Sequence, residues 1–346
     1  MKKSKSTIFL LCVIALTGFT AGYAQAEPVT PGTEIMRLED GLSAVKYEGD
    51  YWFERFLEQG GASSDSEVVK FLSGQMRLGE VQPVFQTSGF GCSTLFVSSP
   101  EGDPLFGRNF DWENCEAMIV KSIPANAYGS ISTVNMNFIR SGYGGFAQLP
   151  ENIRTMVALY APLDGMNERG LAVSVNMIQD SETINQDTGK PDITTTTAIR
   201  LMLNQAADVE EALALLKQYD MHSSMGMMVH FALADRSGRS VVVEYVHNKM
   251  IVTDTPVVTN FYLAEGEKQG IGSAQSHTRY EILQKWLSDN PAMSMDQVRD
   301  ALDSVSKDNF GEFESTEWSI VFDLDSGTAR YYHRENYESN YTFQVR

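Results

Sequence analysis

Thr87-Ser88-Gly89-Phe90-Gly91-Cys92-Ser93-Thr94-Leu95-Phe96 is the stretch from which the fold and chemistry of this chain can be read outward. A glycine-punctuated, turn-like run ends at Gly91, and a strand pattern rich in β-branched and apolar residues follows over Thr94 to Ser98. A cysteine at the head of a strand can reach the carbonyl before it, and Gly91 has no side chain to shield that carbonyl. Attack by the Cys92 thiol on the Gly91 carbonyl is an N-to-S acyl shift. Hydrolysis of the resulting thioester cuts the chain between Gly91 and Cys92 and frees an α-amine on Cys92. An α-amine has a pKa of about 7.7 to 8.0, which suits a general base at neutral pH. One residue then supplies both nucleophile and base.

Downstream, Gly107-Arg108-Asn109-Phe110-Asp111-Trp112 follows a Gly102-Asp103 turn signal, so Leu105 to Asp111 is expected to fold back beside Cys92 as a hairpin. Arg108 then favours the thiolate, and Asp111 accepts a hydrogen bond from the new amine. From spacing alone, an ordinary ion pair on the second strand explains the two equally well. The five histidines, His222, His230, His247, His277 and His333, carry no local Cys-His motif, and His230 and His247 lie in or at the end of apolar strands.

Lys2, Lys3 and Lys5, the apolar run Ile8 to Leu16 and the small-residue site Ala24-Gln25-Ala26 read as a signal peptide over 1–26, giving an exported protein, periplasmic or secreted. Phe9, Leu10 and Leu11 ahead of Cys12 favour cleavage after Ala26 over lipid attachment. No later run of about 18 apolar residues reads as a membrane span. Losing three lysines and no acid takes the net charge from −18 to −21, which excludes nucleic acid as a partner. Of the three cysteines, Cys92 and Cys115 remain after that cut. An exported binding protein in which they form a disulfide is the alternative to an enzyme.

Residues 27–91 read as a helical leader, with helices over Asp40 to Leu57 and Ser66 to Arg77, the second capped by Ser64 or Asp65. Over 92–346, strands are expected at Thr155 to Tyr160, Leu171 to Met177, Val229 to Ala234, Ser240 to His247, Ile251 to Thr253, Val257 to Asn260, Trp318 to Asp323, Ala329 to His333 and Thr342 to Val345. Helices are expected at Thr196 to Ala206, Val209 to Gln218, Ser276 to Leu287 and Met295 to Val305, with Asp208 as an N-cap. Strands, then helices, then strands again imply stacked sheets covered by helices, an α+β architecture. The aromatic residues Tyr51, Trp52, Phe53 and Phe56 and the methionines Met225, Met227 and Met228 read as core packing. No His or Cys pair has metal-ligand spacing, and no cofactor is implied.

Gly91-Cys92-Ser93-Thr94-Leu95-Phe96, with Arg108 and Asp111 at sixteen and nineteen residues after the cysteine, resembles the N-terminal-nucleophile (Ntn) hydrolases of the choloylglycine hydrolase and penicillin V acylase family. Asp164 to Leu171, Val258-Thr259-Asn260, Thr278-Arg279-Tyr280, Trp318 to Asp323 and Tyr331 to Arg334 extend the resemblance to the C-terminus. It implies a four-layer αββα sandwich with mainly antiparallel sheets, which hydrolyses linear amides. Candidate substrates are penicillin V, conjugated bile salts, N-acyl homoserine lactones and longer N-acyl amides, with an acyltransferase sharing the acyl-thioester as the alternative.

In that frame Cys92 is nucleophile and base, Asp111 orients the amine, Arg108 tunes the charge, Asn260 donates to the oxyanion hole, and Arg279 matches a second active-site arginine. An ungapped match puts Met177 at a variable substrate-pocket position, with Asn176 one place away. Residues 27–91 resemble the leader of the precursor-type relatives, the acid ceramidase and N-acylethanolamine amidase branch. Having no cysteine, a cut leader stays bound only by non-covalent packing. A homo-oligomer is left open.

Overall fold

In the computed structural model, which describes residues 27–77, 91–142, 150–178, 180–266, 270–310 and 315–346, two sheets lie face to face with helices on their outer sides. The signal-peptide reading of 1–26 lies outside the described residues, as do 78–90. One sheet has nine strands in the order β1 (Met36–Glu39), β2 (Leu42–Glu48), β5 (Ala117–Ile123), β6 (Ser130–Asn135), β7 (Asp164–Asn167), β8 (Ala172–Met177), β11 (Val229–Ala234), β12 (Ser240–Val246) and β13 (Lys249–Asp254). The other has six: β14 (Val257–Val258), β3 (Gly91–Ser98), β4 (Pro104–Trp112), β15 (Ser315–Asp323), β16 (Thr328–His333) and β17 (Tyr341–Gln344). All neighbours in these sheets are antiparallel except β2 with β5. A separate short pair, β9 (Asp192–Thr194) and β10 (Asp220–His222), is parallel.

Helix α5 (Thr195–Gln205) covers β7 and β8 and packs against α6 (Val209–Leu216). On the far side, α7 (Ala274–Asp289) covers β3 and β14, and α8 (Met295–Asp303) covers β4 and β15. The strand and helix order implied stacked sheets covered by helices, and the arrangement is the four-layer αββα sandwich that the resemblance implied.

The hairpin at the centre forms as its turn chemistry dictates. Gly102 sits at φ +100°, and the Ser99 N–H donates to the Asp103 carbonyl at 2.7 Å. Strand alternation then assigns each residue of β3 to a layer. Cys92 and Phe96 join the core between the sheets, while Leu95 and Val97 join the core under α7 and α8. Every residue of β4 is buried, because both of its faces are covered.

Two expectations fail. Leu42–Glu48, expected in a helix, is a strand paired in parallel with β5 over seven residues, and only Phe53–Glu58 (α1) is helical before α2 (Asp65–Met76). The pairing with β5 and burial of Leu42, Ala44 and Val45 outweigh local helix propensity. Thr155 to Tyr160, expected as a strand, lies largely in α4 (Glu151–Ala158), which follows α3 (Met136–Gly142). A short β-branched run does not distinguish the two, and the start signal was Pro150, at φ −52° immediately before the helix. The Ser64 and Asp208 hydroxyl and carboxylate caps form as expected, accepting from Glu67 and Glu211 N–H. Among the described residues, no helix is long and apolar enough to cross a membrane.

Candidate active site

The β3–β4 register places Gly91 directly opposite Asp111 and Cys92 opposite Phe110. Cys92 and Arg108 therefore share the face between the sheets, while Gly91, Ser93 and Asp111 share the face under α7. The Cys92 thiol is completely buried and donates to the Val175 carbonyl of β8 at 3.6 Å. The sequence expectation was an arginine-favoured thiolate, but here burial dominates. Burial pushes the thiol pKa up, Arg108 pulls it down, Asp111 pushes it up and Arg279 pulls it down, and the net shift is upward. In the uncut chain the sulfur holds its proton.

Arg108 is fixed from across the sandwich. Its Nε donates to Asp164 Oδ2 at 2.6 Å, and Trp318 Nε1 donates to the same oxygen at 2.9 Å. Nη1 donates to the Asn109 carbonyl, and Nη2, fully buried, has no hydrogen-bond partner among the described residues.

The Cys92 main chain is held on the other side. Continuing the β14–β3 register, Val257 with Leu95 and Val258 with Thr94, brings Asn260 opposite Cys92. The strand ends at Val258, and the Asn260 side chain takes over, its Oδ1 accepting from the Cys92 N–H at 2.9 Å. The same oxygen accepts from Arg279 Nη2 at 2.7 Å, which fixes the orientation of the side-chain amide. Asn260 Nδ2 spends one of its two hydrogens on the Met177 carbonyl at 2.8 Å.

Arg279, on α7, is 2 % exposed rather than a solvated helix residue. Its Nη1 donates to the Cys92 carbonyl at 2.7 Å and to Ser93 Oγ at 2.7 Å, and lies 3.4 Å from Asp111 Oδ2. The other Asp111 oxygen accepts from Thr316 Oγ1 at 2.8 Å. Cys92, Arg108, Asp111, Asn260 and Arg279 thus form one connected cluster. Cleavage at Gly91 would leave the new amine on its present acceptor, Asn260 Oδ1, with Asp111 across the β3–β4 pair from Gly91.

Of the two pocket candidates, Asn176 is the one whose side chain reaches the second sheet. Its Nδ2 donates to the Val258 and Thr259 carbonyls at 3.4 and 3.5 Å, while Ser174 Oγ donates to its Oδ1 at 2.9 Å. Met177 enters the site through its carbonyl. The sequence reading assigned no role to Ser93, Asp164, Thr316 or Trp318. An acidic residue inside a strand without charged neighbours was the available signal for Asp164. Cys92 and Cys115 are both free thiols, which removes the disulfide on which the binding-protein alternative relied. Among the described residues no group of three His, Cys, Asp or Glu could hold a metal ion.

Residues 92–261 match the family of linear amide C–N hydrolases, choloylglycine hydrolase family. A curated relative, the bile salt hydrolase/transferase of Clostridium perfringens (strain 13 / Type A), is 26% identical over 176 residues, 48% of this chain and 51% of the relative. The chain thus aligns with about half the length of that relative. Among solved structures, penicillin V acylase from Agrobacterium tumefaciens superposes with a TM-score of 0.50 at 19% identity, covering 70% of this chain and 83% of that one. A variant of the conjugated bile acid hydrolase from Clostridium perfringens gives 0.53 at 18% identity, covering 73% and 92%. At such identities the two structures speak to the fold, which is the Ntn-hydrolase sandwich.

Proposed function

From the match of residues 92–261 to the choloylglycine hydrolase family of linear amide C–N hydrolases, we propose that this chain is a self-processing amidohydrolase of that family with Cys92 as its nucleophile. The observation that carries the reading is the double hold on Cys92: its N–H on Asn260 Oδ1 at 2.9 Å, and its carbonyl on Arg279 Nη1 at 2.7 Å. Any buried main chain needs partners, but here two buried side chains fill the places that a neighbouring strand would fill in an ordinary ladder.

In the first reaction, the thiol attacks the Gly91 carbonyl, the C–N bond to Cys92 breaks as the C–S bond forms, and the thiol proton passes to the departing nitrogen. Water then cleaves the thioester, leaving Gly91 as a carboxylate and Cys92 with a free amine. In turnover, that amine takes the thiol proton, the thiolate adds to the substrate carbonyl, and the amine product leaves protonated. Water releases the acyl group from the thioester. Arg108 stabilises the thiolate once substrate replaces the Val175 contact, Asp111 and Asn260 Oδ1 orient the amine, and the remaining Asn260 N–H serves the oxyanion. Such a donor is worth about 3 to 4 kcal/mol to the transition state.

The substrate class is an acyl group joined to a small amine, as in penicillin V, conjugated bile salts, N-acyl homoserine lactones and N-acyl amides. The name of the C. perfringens relative couples hydrolase with transferase, which favours testing acyl transfer to added amines as a second outcome of the same thioester. We assign the protein to an exported compartment on the strength of residues 1–26.

N-terminal sequencing and intact mass of wild type beside Cys92→Ala test the core of this reading. Wild type is expected to yield a chain beginning at Cys92 that hydrolyses penicillin V or a glycine-conjugated bile salt, and the variant an uncut chain. Hydrolysis by an uncut wild-type chain contradicts the mechanism.

A further inference from the structure

Asn260 lies in a segment that no strand holds. β14 ends at Val258, and among the described residues 259–264 has no ladder partner in either sheet. Two backbone grips bracket Asn260 instead, and both lead to one buried pair on the nine-stranded sheet. His230 of β11 approaches the Thr259 carbonyl with Nε2 at 3.0 Å, one residue before Asn260. Glu244 of β12 accepts from Leu263 N–H through Oε1 and from Ala264 N–H through Oε2, each at 2.8 Å. His230 Nδ1 lies 3.1 Å from Glu244 Oε1, and both side chains are completely buried.

The hydrogen-bond chemistry of this pair is over-determined. A carbonyl can only accept, so His230 Nε2 carries a proton. Nδ1 then faces a carboxylate oxygen that already accepts a backbone N–H, and a second proton must lie between Nδ1 and Oε1. With two amides also donating to the carboxylate, every polar atom of the pair has a partner. Removing either partner therefore leaves buried polar groups unsatisfied, so the pair favours one geometry.

We propose that His230 and Glu244 are positioning residues for Asn260. They clamp 259–264 so that Asn260 Oδ1 stays on the Cys92 nitrogen and its amide faces the reacting carbonyl. The inference rests on the assignment of Asn260 to the reaction, and it adds two residues that touch neither substrate nor Cys92. Neither is legible from sequence: a lone histidine and a lone glutamate on neighbouring apolar strands read as packing.

Glu244→Gln tests it, since a glutamine has one carboxamide oxygen for two backbone amides and presents an N–H to the other. The variant is expected to lower kcat on penicillin V or a glycine-conjugated bile salt by roughly tenfold to 100-fold with KM changed by less than about twofold, the scale of a misplaced catalytic group. In an Asn260→Ala background the same change is expected to lower kcat by less than about twofold, because the residue being positioned is gone. Hydrogen exchange at the 261–264 amides is expected to accelerate in Glu244→Gln. His230→Gln serves for the same comparisons if Glu244→Gln does not fold. A kcat loss of equal size with and without Asn260, or unchanged amide protection in the folded variant, overturns the proposal. If wild type neither cuts itself nor hydrolyses either probe, the hydrolase reading fails, and the exchange measurement alone decides whether the pair clamps the segment.

Discussion

Arg108 and Asp164 meet between the two sheets, Nε to Oδ2 at 2.6 Å, with both side chains completely buried. Arg108 comes from β4 and Asp164 from β7, so the ion pair is also a cross-link between the layers. Asp164 Oδ2 accepts from Trp318 as well, and the Trp318 ring stacks on Phe110 at 4.0 Å between centroids. Asp164→Leu leaves the guanidinium buried without its counter-charge, and a loss of about 3–5 kcal/mol is expected. Arg108→Met combined with Asp164→Leu is expected to recover most of it, because neither charge is then desolvated. Urea midpoints in a Cys92→Ala background, where self-cleavage cannot complicate the transition, measure both. Additive losses in the double variant would contradict a direct charge pair.

Gly91 is required by its neighbours as well as by the proposed chemistry. A Cβ there would lie 2.7 Å from Asp111 Oδ2 and 3.0 Å from Lys307 Cε. Gly91→Ala must therefore push the carboxylate off or tilt the scissile carbonyl, and self-cleavage is expected to slow on the order of 10–100-fold. An intact-mass time course on freshly refolded protein reads this directly. Processing at the wild-type rate would show that the position of the Asp111 carboxylate does not matter to the cut.

How far the sequence carries the reader can be followed along these residues. The β3–β4 hairpin was legible because Gly102-Asp103 supplies a turn and period-two burial assigns the faces. The hairpin alone brings Arg108 and Asp111 toward Cys92, although spacing left an ordinary ion pair an equal explanation until the resemblance was added. Asn260 and Arg279 are 168 and 187 positions from Cys92, and only the family resemblance pointed to them. What was hidden is long-range pairing. Nothing local in Leu42–Glu48 announces that β5 will pair with it, so a strand was read as helix. Asp164 lies within a motif of the resemblance, yet its hold on Arg108 depends on how two sheets stack, a relationship periodicity does not encode.

The part that residues 27–77 take in the sheet has its own consequence under the proposed cut. Besides β2, residues 27–77 bury Tyr51, Phe53, Phe56, Val68, Val69 and Leu72 in the same core as Cys92. Tyr51 donates to Asn204 Oδ1 at 2.7 Å and receives a hydrogen bond on its carbonyl from Tyr160. After a cut at Gly91, the two pieces are expected to migrate together on gel filtration and separate only in denaturant. Phe56→Ala, costing about 3–5 kcal/mol of packing, is expected to loosen the association. Release of the leader under native conditions would show that its strand is dispensable to the mature fold.

Cys115 makes the pH dependence of stability testable apart from catalysis. Burial, then the Glu317 carboxylate beside it, push the Cys115 thiol well above its ordinary range. An unfolded chain releases that proton from about pH 8.5, while the folded chain keeps it. Between those two values the folded state binds the extra proton, so stability is full below the unfolded pKa and falls as pH rises, by about 1.4 kcal/mol per pH unit. By pH 10 the loss is about 2 kcal/mol for this thiol, before buried tyrosines such as Tyr160 and Tyr337, also pushed up by burial, add theirs. Urea midpoints of Cys92→Ala at pH 8 and pH 10 are expected to fall more steeply than those of Cys92→Ala with Cys115→Ala. The slope is the informative quantity, since removing the side chain also changes packing equally at both pH values. Parallel slopes for the two proteins would mean that Cys115 ionises in the folded chain as readily as in the unfolded one.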